Sequence, residues 1–227
     1  MWVKICGTTN LEDARLAVDA GADALGFIFA PSPRRIHPKE AAGIIAELPS
    51  TVEKVGVFVN QSPAIILDTA DTARLTGVQL HGDEDQPYIQ NLANVNANRT
   101  RSLDIFKAIA FQRAANDDVD SFAEFADHLR ALVIDSGSAS KAGGTGNPFD
   151  WPAARLLVNR FSRTFDVVIA GGLTPSNVGE AIQLFDPWGV DVVSGVERSP
   201  GKKDPQKVRE FIAAARKSAV SASSKSQ

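Results

Sequence analysis

Eight short apolar runs rich in Val, Ile and Phe recur along this chain, and almost every one is followed by an amphipathic stretch. They are Val3–Cys6, Ala24–Phe29, Lys54–Val59, Gly77–Leu80, Ile105–Phe111, Ala131–Ile134, Val167–Ala170 and Val190–Val193. Several are almost continuously apolar, as strands covered on both faces must be, so the alternation predicts βαβ units on a parallel sheet. Helix starts are expected at Asn10, at His37-Pro38, at Ser62-Pro63 and at Thr174-Pro175, since proline at a first helical position sacrifices no hydrogen bond. Gly21 is a natural stop for the first helix. The fifth unit is blurred by the polar stretches NANRTRSLD and FQRAANDDVD.

Eight such units in series predict a closed (β/α)8 barrel, the TIM-barrel form of the α/β class, rather than an open doubly wound sheet. The latter would carry a GxGxxG cradle in its first turn, where this chain has Cys6-Gly7-Thr8-Thr9-Asn10. At 227 residues one barrel accounts for the chain: residues 1–217 as the domain, and 218–227, SAVSASSKSQ, as a polar tail expected to fray.

A net charge of -3 and an isoelectric point near 5.6 supply no basic field for nucleic acid or anionic membranes, so neither is expected as a partner. Cys6 is the single cysteine, which excludes an internal disulfide or a cysteine-rich metal cluster and fits a reducing compartment. The N-terminal apolar run is too short for a signal peptide, and no stretch approaches the ~20 apolar residues that cross a bilayer. A cytoplasmic protein is expected.

In a barrel of this kind the active site is assembled at the C-terminal ends of the strands. Those ends carry Cys6, the loop Ser32-Pro33-Arg34-Arg35, Asn60, His81-Gly82, Asp135-Ser136-Gly137, Gly171-Gly172 and Ser194-Gly195. The late pair, AGGLTPSNV and SGVE, has the backbone N–H groups and nearby helix start that cradle a phosphate, at the two loops where barrels often hold one. A small phosphorylated substrate is therefore expected on Gly171, Gly172, Ser194 and Gly195. Cys6 can point into the mouth, with Lys4 on the same face roughly 6–7 Å along the strand. A cation there would favour the thiolate, the form a base needs. Asp135, on the opposite side of the ring, would face Cys6 across a substrate as acid faces base. Arg34 could hold a carboxylate in a bidentate fork. His81 could donate to substrate or satisfy a backbone carbonyl. Asp191, if inward, neighbours Lys4 where strand eight meets strand one, either as an ion pair or as a substrate contact.

The segments VKICGTTNLEDA, GADALGFIF followed by SPRRI, VGVFVN, VQLHGDE, AGGTGNPFDW, AGGLTPSNV and GVDVVSGVERSPGKKD occur in this order between about residues 2 and 216. Together they resemble the phosphoribosylanthranilate isomerases of tryptophan biosynthesis. The resemblance implies an Amadori rearrangement without metal or organic cofactor, with Cys6 as general base and Asp135 as general acid. It also implies Arg34 on the anthranilate carboxylate and His81 at the QLHG position, in a monomer or homodimer. Val193 stands where a small polar residue often precedes SG, and Arg35 where an aromatic is common. The loop from Gly137 to Gly146 is a mobile lid or an inert insertion. Two alternatives differ in signature: a histidine-pathway barrel isomerase has aspartate in place of Cys6 and phosphate motifs in both halves, and a sugar-phosphate-binding barrel has no turnover.

Overall fold

The computed structural model of the chain describes residues 1–111, 126–135 and 151–223. Eight parallel strands form a closed barrel in chain order. They are β1 (Trp2–Cys6), β2 (Ala24–Ile28), β3 (Glu53–Phe58), β4 (Gly77–Leu80), β5 (Asp104–Ala110), β6 (Ala131–Asp135), β7 (Val167–Ala170) and β8 (Gly189–Val192). The described helices are α1 (Leu11–Asp19), α2 (Pro38–Ala46), α3 (Pro63–Ala73), α4 (Gln86–Ala97), α5 (Trp151–Phe161), α6 (Val178–Phe185) and α7 (Pro205–Ser223). After β8 comes a small antiparallel hairpin, β9 (Glu197–Ser199) and β10 (Lys202–Lys203). The (β/α)8 architecture is the one the alternating pattern predicts.

Local chemistry explains the helix starts. Asn10 Oδ1 accepts from the Asp13 backbone N–H at 2.8 Å, His37 and Glu40 form a reciprocal capping box, and Ser62 caps α3 ahead of Pro63. The expected start at Thr174-Pro175 is corrected: α6 begins at Val178. Residues 174–177 close a turn instead, because Asn177 Oδ1 accepts from the Thr174 N–H at 2.7 Å while the Thr174 carbonyl accepts from the N–H groups of Asn177 and Val178. Phe111 likewise falls outside β5, which ends at Ala110. Helix α7 runs through Ser223, six residues into the segment expected to fray. Val208, Phe211, Ile212 and Ala215 bury one face of it, and once a helix is so anchored each added alanine or serine extends it without a new nucleation cost.

Side chains alternate along each strand, so the barrel has two cores. The outer one, between strands and helices, is built from residues such as Val3, Ile5, Leu25, Phe27, Val78, Leu80, Leu132, Ile134 and Val190. Each large apolar side chain buried there is worth roughly 1.5–3 kcal/mol before the entropy of ordering is counted. The inner one holds Trp2, Ala24, Val55, Phe106, Ala108, Ala131, Val133, Val168 and Ala170, with Trp188 packed against it. Trp2 stacks on Phe106 (ring centroids 5.5 Å apart) and on Trp188 (5.1 Å), and the Arg130 guanidinium lies 4.4 Å over Trp188. These aromatics plug the barrel at the N-terminal ends of its strands. Among the described residues no helix is long and apolar enough to cross a membrane.

Candidate active site

On β1 the residues with the parity of Trp2 are Lys4 and Cys6, so both face inward above the plug. Cys6 is opposite Gly26 on β2, and a Cβ at Gly26 would come within 2.4 Å of Sγ. The glycine makes the room the thiol occupies. Burial is the largest influence on this thiol and pushes its pKa up from the ordinary 9.0. The Lys4 ammonium opposes that shift, Asp191 reinforces it, and Lys203 opposes it in turn.

Lys4 is itself fully enclosed. Its Nζ donates to Asp191 Oδ2 at 2.7 Å and to Gln79 Oε1 at 2.7 Å. Burial alone would lower the Lys4 pKa, but the Asp191 carboxylate and Cys6 more than offset it and the ammonium is held charged. Asp191 thus neighbours Lys4 across the β8–β1 seam, in the register that pairs the two residues directly. Its second oxygen, Oδ1, is buried without a hydrogen-bond partner among the described residues. From Gln79 the polar chain continues: Gln79 Nε2 lies 3.0 Å from His81 Nδ1, and His81 Nε2 lies 3.4 Å from Asp135 Oδ2. Asp135 closes β6, three strands round the ring from β1 by way of β8 and β7. The Asp135 and His81 side chains are 20% and 38% exposed, against 1% for Lys4. The chain therefore climbs from the closed interior to the open mouth.

Arg34, in the loop after β2, passes its Cδ over Gly7 and meets Glu197 at the start of β9. Nε donates to both carboxylate oxygens at 2.9 and 3.0 Å, and Nη2 donates to Oε2 at 2.7 Å. Glu197 also accepts from the Gly201 N–H at 3.1 Å and pairs with Lys203 at 3.3 Å. Burial pushes the Glu197 carboxyl up, but Arg34 and Lys203 hold it below the usual carboxylate range. Lys203 Nζ donates to the carbonyls of Cys6 and Val193 as well, fastening the ends of β1 and β8 together. With one edge of the Arg34 guanidinium held by Glu197, the group is oriented before any ligand arrives.

The loops after β7 and β8 meet. Gly171 and Gly172 have φ of 81° and 65°, a left-handed pair that only glycine adopts without strain. A Cβ at Gly195 would lie 1.8 Å from the Leu173 carbonyl oxygen, so the Ser194-Gly195 turn packs directly on the backbone of loop seven. Ser136, Gly137 and the loop from Gly137 to Gly146 lie outside the described residues.

The structure thus brings Cys6, Asp191, Arg34, His81 and Asp135 to one end of the barrel, with the two glycine loops beside them. It is the end at which barrels of this architecture carry their active sites. A family model described as N-(5'phosphoribosyl)anthranilate (PRA) isomerase matches residues 3–214. The chain belongs to this family. Among curated PRA isomerases, that of Trichlorobacter lovleyi is 47% identical over 213 residues, covering 92% of this chain and 95% of its own. The crystal structure of the Thermotoga maritima PRA isomerase superposes with a TM-score of 0.78 at 41% identity, over 96% of this chain and 99% of that one. A further PRA isomerase structure, 39% identical with a TM-score of 0.77 over 96% of this chain and 99% of its own, holds reduced 1-(o-carboxyphenylamino)-1-deoxyribulose 5-phosphate.

Within this member of the PRA isomerase family, sequence reasoning missed three residues that shape the site: Gln79, Glu197 and Lys203. Glu197 and Lys203 sit in ERSPGKKD, which enters the sequence reading only as part of a family motif; the hairpin that folds back over β1 carries them to the site. Gln79 shares strand parity with His81, and that was the available signal.

Proposed function

We propose that this chain converts N-(5-phosphoribosyl)anthranilate to 1-(2-carboxyphenylamino)-1-deoxyribulose 5-phosphate, the isomerisation of tryptophan biosynthesis, with Cys6 as base and Asp135 as acid. The single observation that supports the reading is that a thiol on β1 and a carboxyl on β6 lie at the same end of the barrel, with a polar chain running to Asp135 from Lys4, the cation that acts on the thiol. Asp135, protonated, gives its proton to the ribose ring oxygen as the bond from that oxygen to C1′ breaks and the anilino nitrogen lone pair forms the Schiff base. Cys6 thiolate then takes the C2′ proton, and the electrons of that C–H bond neutralise the iminium to give an enolamine. Loss of the enol proton and gain of a proton at C1′ complete the ketone, so the product is an isomer of the substrate.

The surrounding charges suit these steps. Lys4 and Lys203 favour the thiolate against the burial that opposes it. Arg34, oriented by Glu197, has its remaining edge for the anthranilate carboxylate. Gly171, Gly172, Ser194 and Gly195 would receive the phosphate through backbone N–H groups. Anchoring both anionic ends sets C1′ and C2′ between base and acid, where positioning does much of the catalytic work.

Turnover of the fluorescent substrate tests this directly. Cys6→Ala and Asp135→Asn should each lose roughly 10²–10⁴-fold in kcat/KM, the usual range for removing a general acid or base, while keeping the wild-type circular dichroism. Wild-type rates in both variants would refute the assignment.

A further inference from the structure

The polar chain from Lys4 to Asp135 has a direction, and the direction fixes which ring nitrogen of His81 carries the proton. An ammonium has three donors and no acceptor, so the Gln79 atom 2.7 Å from Lys4 Nζ must be the amide oxygen. Turned the other way, two donors would face each other inside the barrel, where Lys4 and Gln79 are both buried. The amide nitrogen is therefore the atom directed at His81, 3.0 Å from Nδ1. Since it can only donate, Nδ1 must accept, and the proton of a neutral imidazole is left on Nε2, which lies 3.4 Å from Asp135 Oδ2. Asp191 completes the set, because its carboxylate 2.7 Å from Nζ keeps Lys4 in the charged form that anchors the amide.

We infer that Gln79 is a positioning residue for the isomerisation, locking His81 in its Nε2–H tautomer so that a neutral donor is aimed at Asp135. This rests on the isomerase reading above and adds a role for a residue that acts through His81. The consequence is kinetic. As Asp135 surrenders its proton to the ring oxygen, negative charge develops on the carboxyl, and a pre-oriented N–H stabilises that charge more than it stabilises the neutral acid. Interactions that strengthen only as the reaction proceeds raise kcat rather than lower KM. In the opposite tautomer Nε2 would be an acceptor, would compete with the sugar for the Asp135 proton, and would offer nothing to the carboxylate left behind.

The test reads the tautomer and the chemistry separately. The protein has three histidines, so nitrogen-15 NMR of histidine-labelled enzyme at about pH 8, above the ordinary imidazole range, gives three spectra to sort. His37→Asn and His128→Gln assign them. Wild-type His81 should show protonated Nε2 and bare Nδ1 as a single species. Gln79→Leu should give a mixture of tautomers, and kcat should fall roughly tenfold to a hundredfold, the range expected for a misplaced catalytic group, with KM nearly unchanged. Gln79→Glu keeps an acceptor for Lys4 but has no donor for Nδ1, so His81 should carry a proton on Nδ1 and kcat should fall at least as far.

A wild-type spectrum showing protonated Nδ1, or an equal mixture of tautomers, would overturn the inference, and it decides the matter even if the Gln79 variants do not fold. Undiminished kcat in folded Gln79→Leu would overturn it as well. Either result leaves the isomerase reading standing if Cys6→Ala and Asp135→Asn are inactive. Wild-type rates in those two variants would instead remove the isomerase reading itself.

Discussion

The two ends of the barrel interior are built from the same strands with the same inward parity, yet their chemistry is opposite. At the N-terminal end Trp2, Phe106 and Trp188 stack into an apolar plug. Two residues further along β1 the interior becomes Lys4, Asp191 and Gln79, and beyond them Cys6, His81 and Asp135 reach the mouth. Burying an ion pair such as Lys4–Asp191 seldom adds net stability, because the desolvation of two charges offsets most of their attraction. The plug therefore holds the barrel together, and the polar tier above it is tolerated for what it does to the thiol, the imidazole and the carboxyl.

That division can be broken most sharply at the plug. Trp2→Ala should cost about 3–5 kcal/mol of stability, as large buried aromatics typically do, and lower the melting temperature, while the folded fraction retains wild-type kcat. A loss of kcat per folded molecule would show that the two ends are not separable. At the mouth, the single cysteine makes alkylation a clean probe of the raised Cys6 pKa. The thiolate is the reactive form, so a raised value means iodoacetamide reacts more slowly than with an unfolded-chain thiol at neutral pH. The rate should climb about tenfold per pH unit and still be climbing at pH 9, which mass spectrometry can follow. A rate that levels off below pH 8 would mean that the lysines outweigh burial. The smallest expected effect is at Glu197. Glu197→Gln removes the charge that orients Arg34, so KM should rise roughly tenfold with kcat little changed, since an anchor used equally in ground and transition states contributes uniform binding. A fall in kcat at constant KM would instead place Glu197 among the groups that respond to the chemical step.

Much of this architecture is legible in the sequence. Strands buried on both faces announce themselves as apolar runs, and strand parity puts Lys4 and Cys6 on one face of β1 and makes Asp191 a neighbour of Lys4 if it too is inward; the structure supplies the inward direction for all three. Contacts between segments distant in sequence are not legible in the same way. Arg34 and Glu197 are 163 residues apart, and only the fold of the β9–β10 hairpin over β1 shows that a charged loop is an interior element. Gln79 escapes for another reason: a neutral amide in VQL has no compositional signal, and its importance lies entirely in which neighbours its two ends meet. The start of α6 was misplaced because Thr174-Pro175 satisfies the general rule for a helix start, while Asn177 diverts those residues into a turn.

The central claim is that one sugar is handled by Cys6 and Asp135 together. A crystal structure of this protein with a reduced, unreactive product analogue tests it most directly. The account predicts phosphate on the backbone N–H groups of Gly171, Gly172, Ser194 and Gly195, Cys6 Sγ in contact with C2′, and Asp135 on the far side of the same carbon chain. Phosphate bound elsewhere, or C2′ facing a side chain other than Cys6, would contradict it.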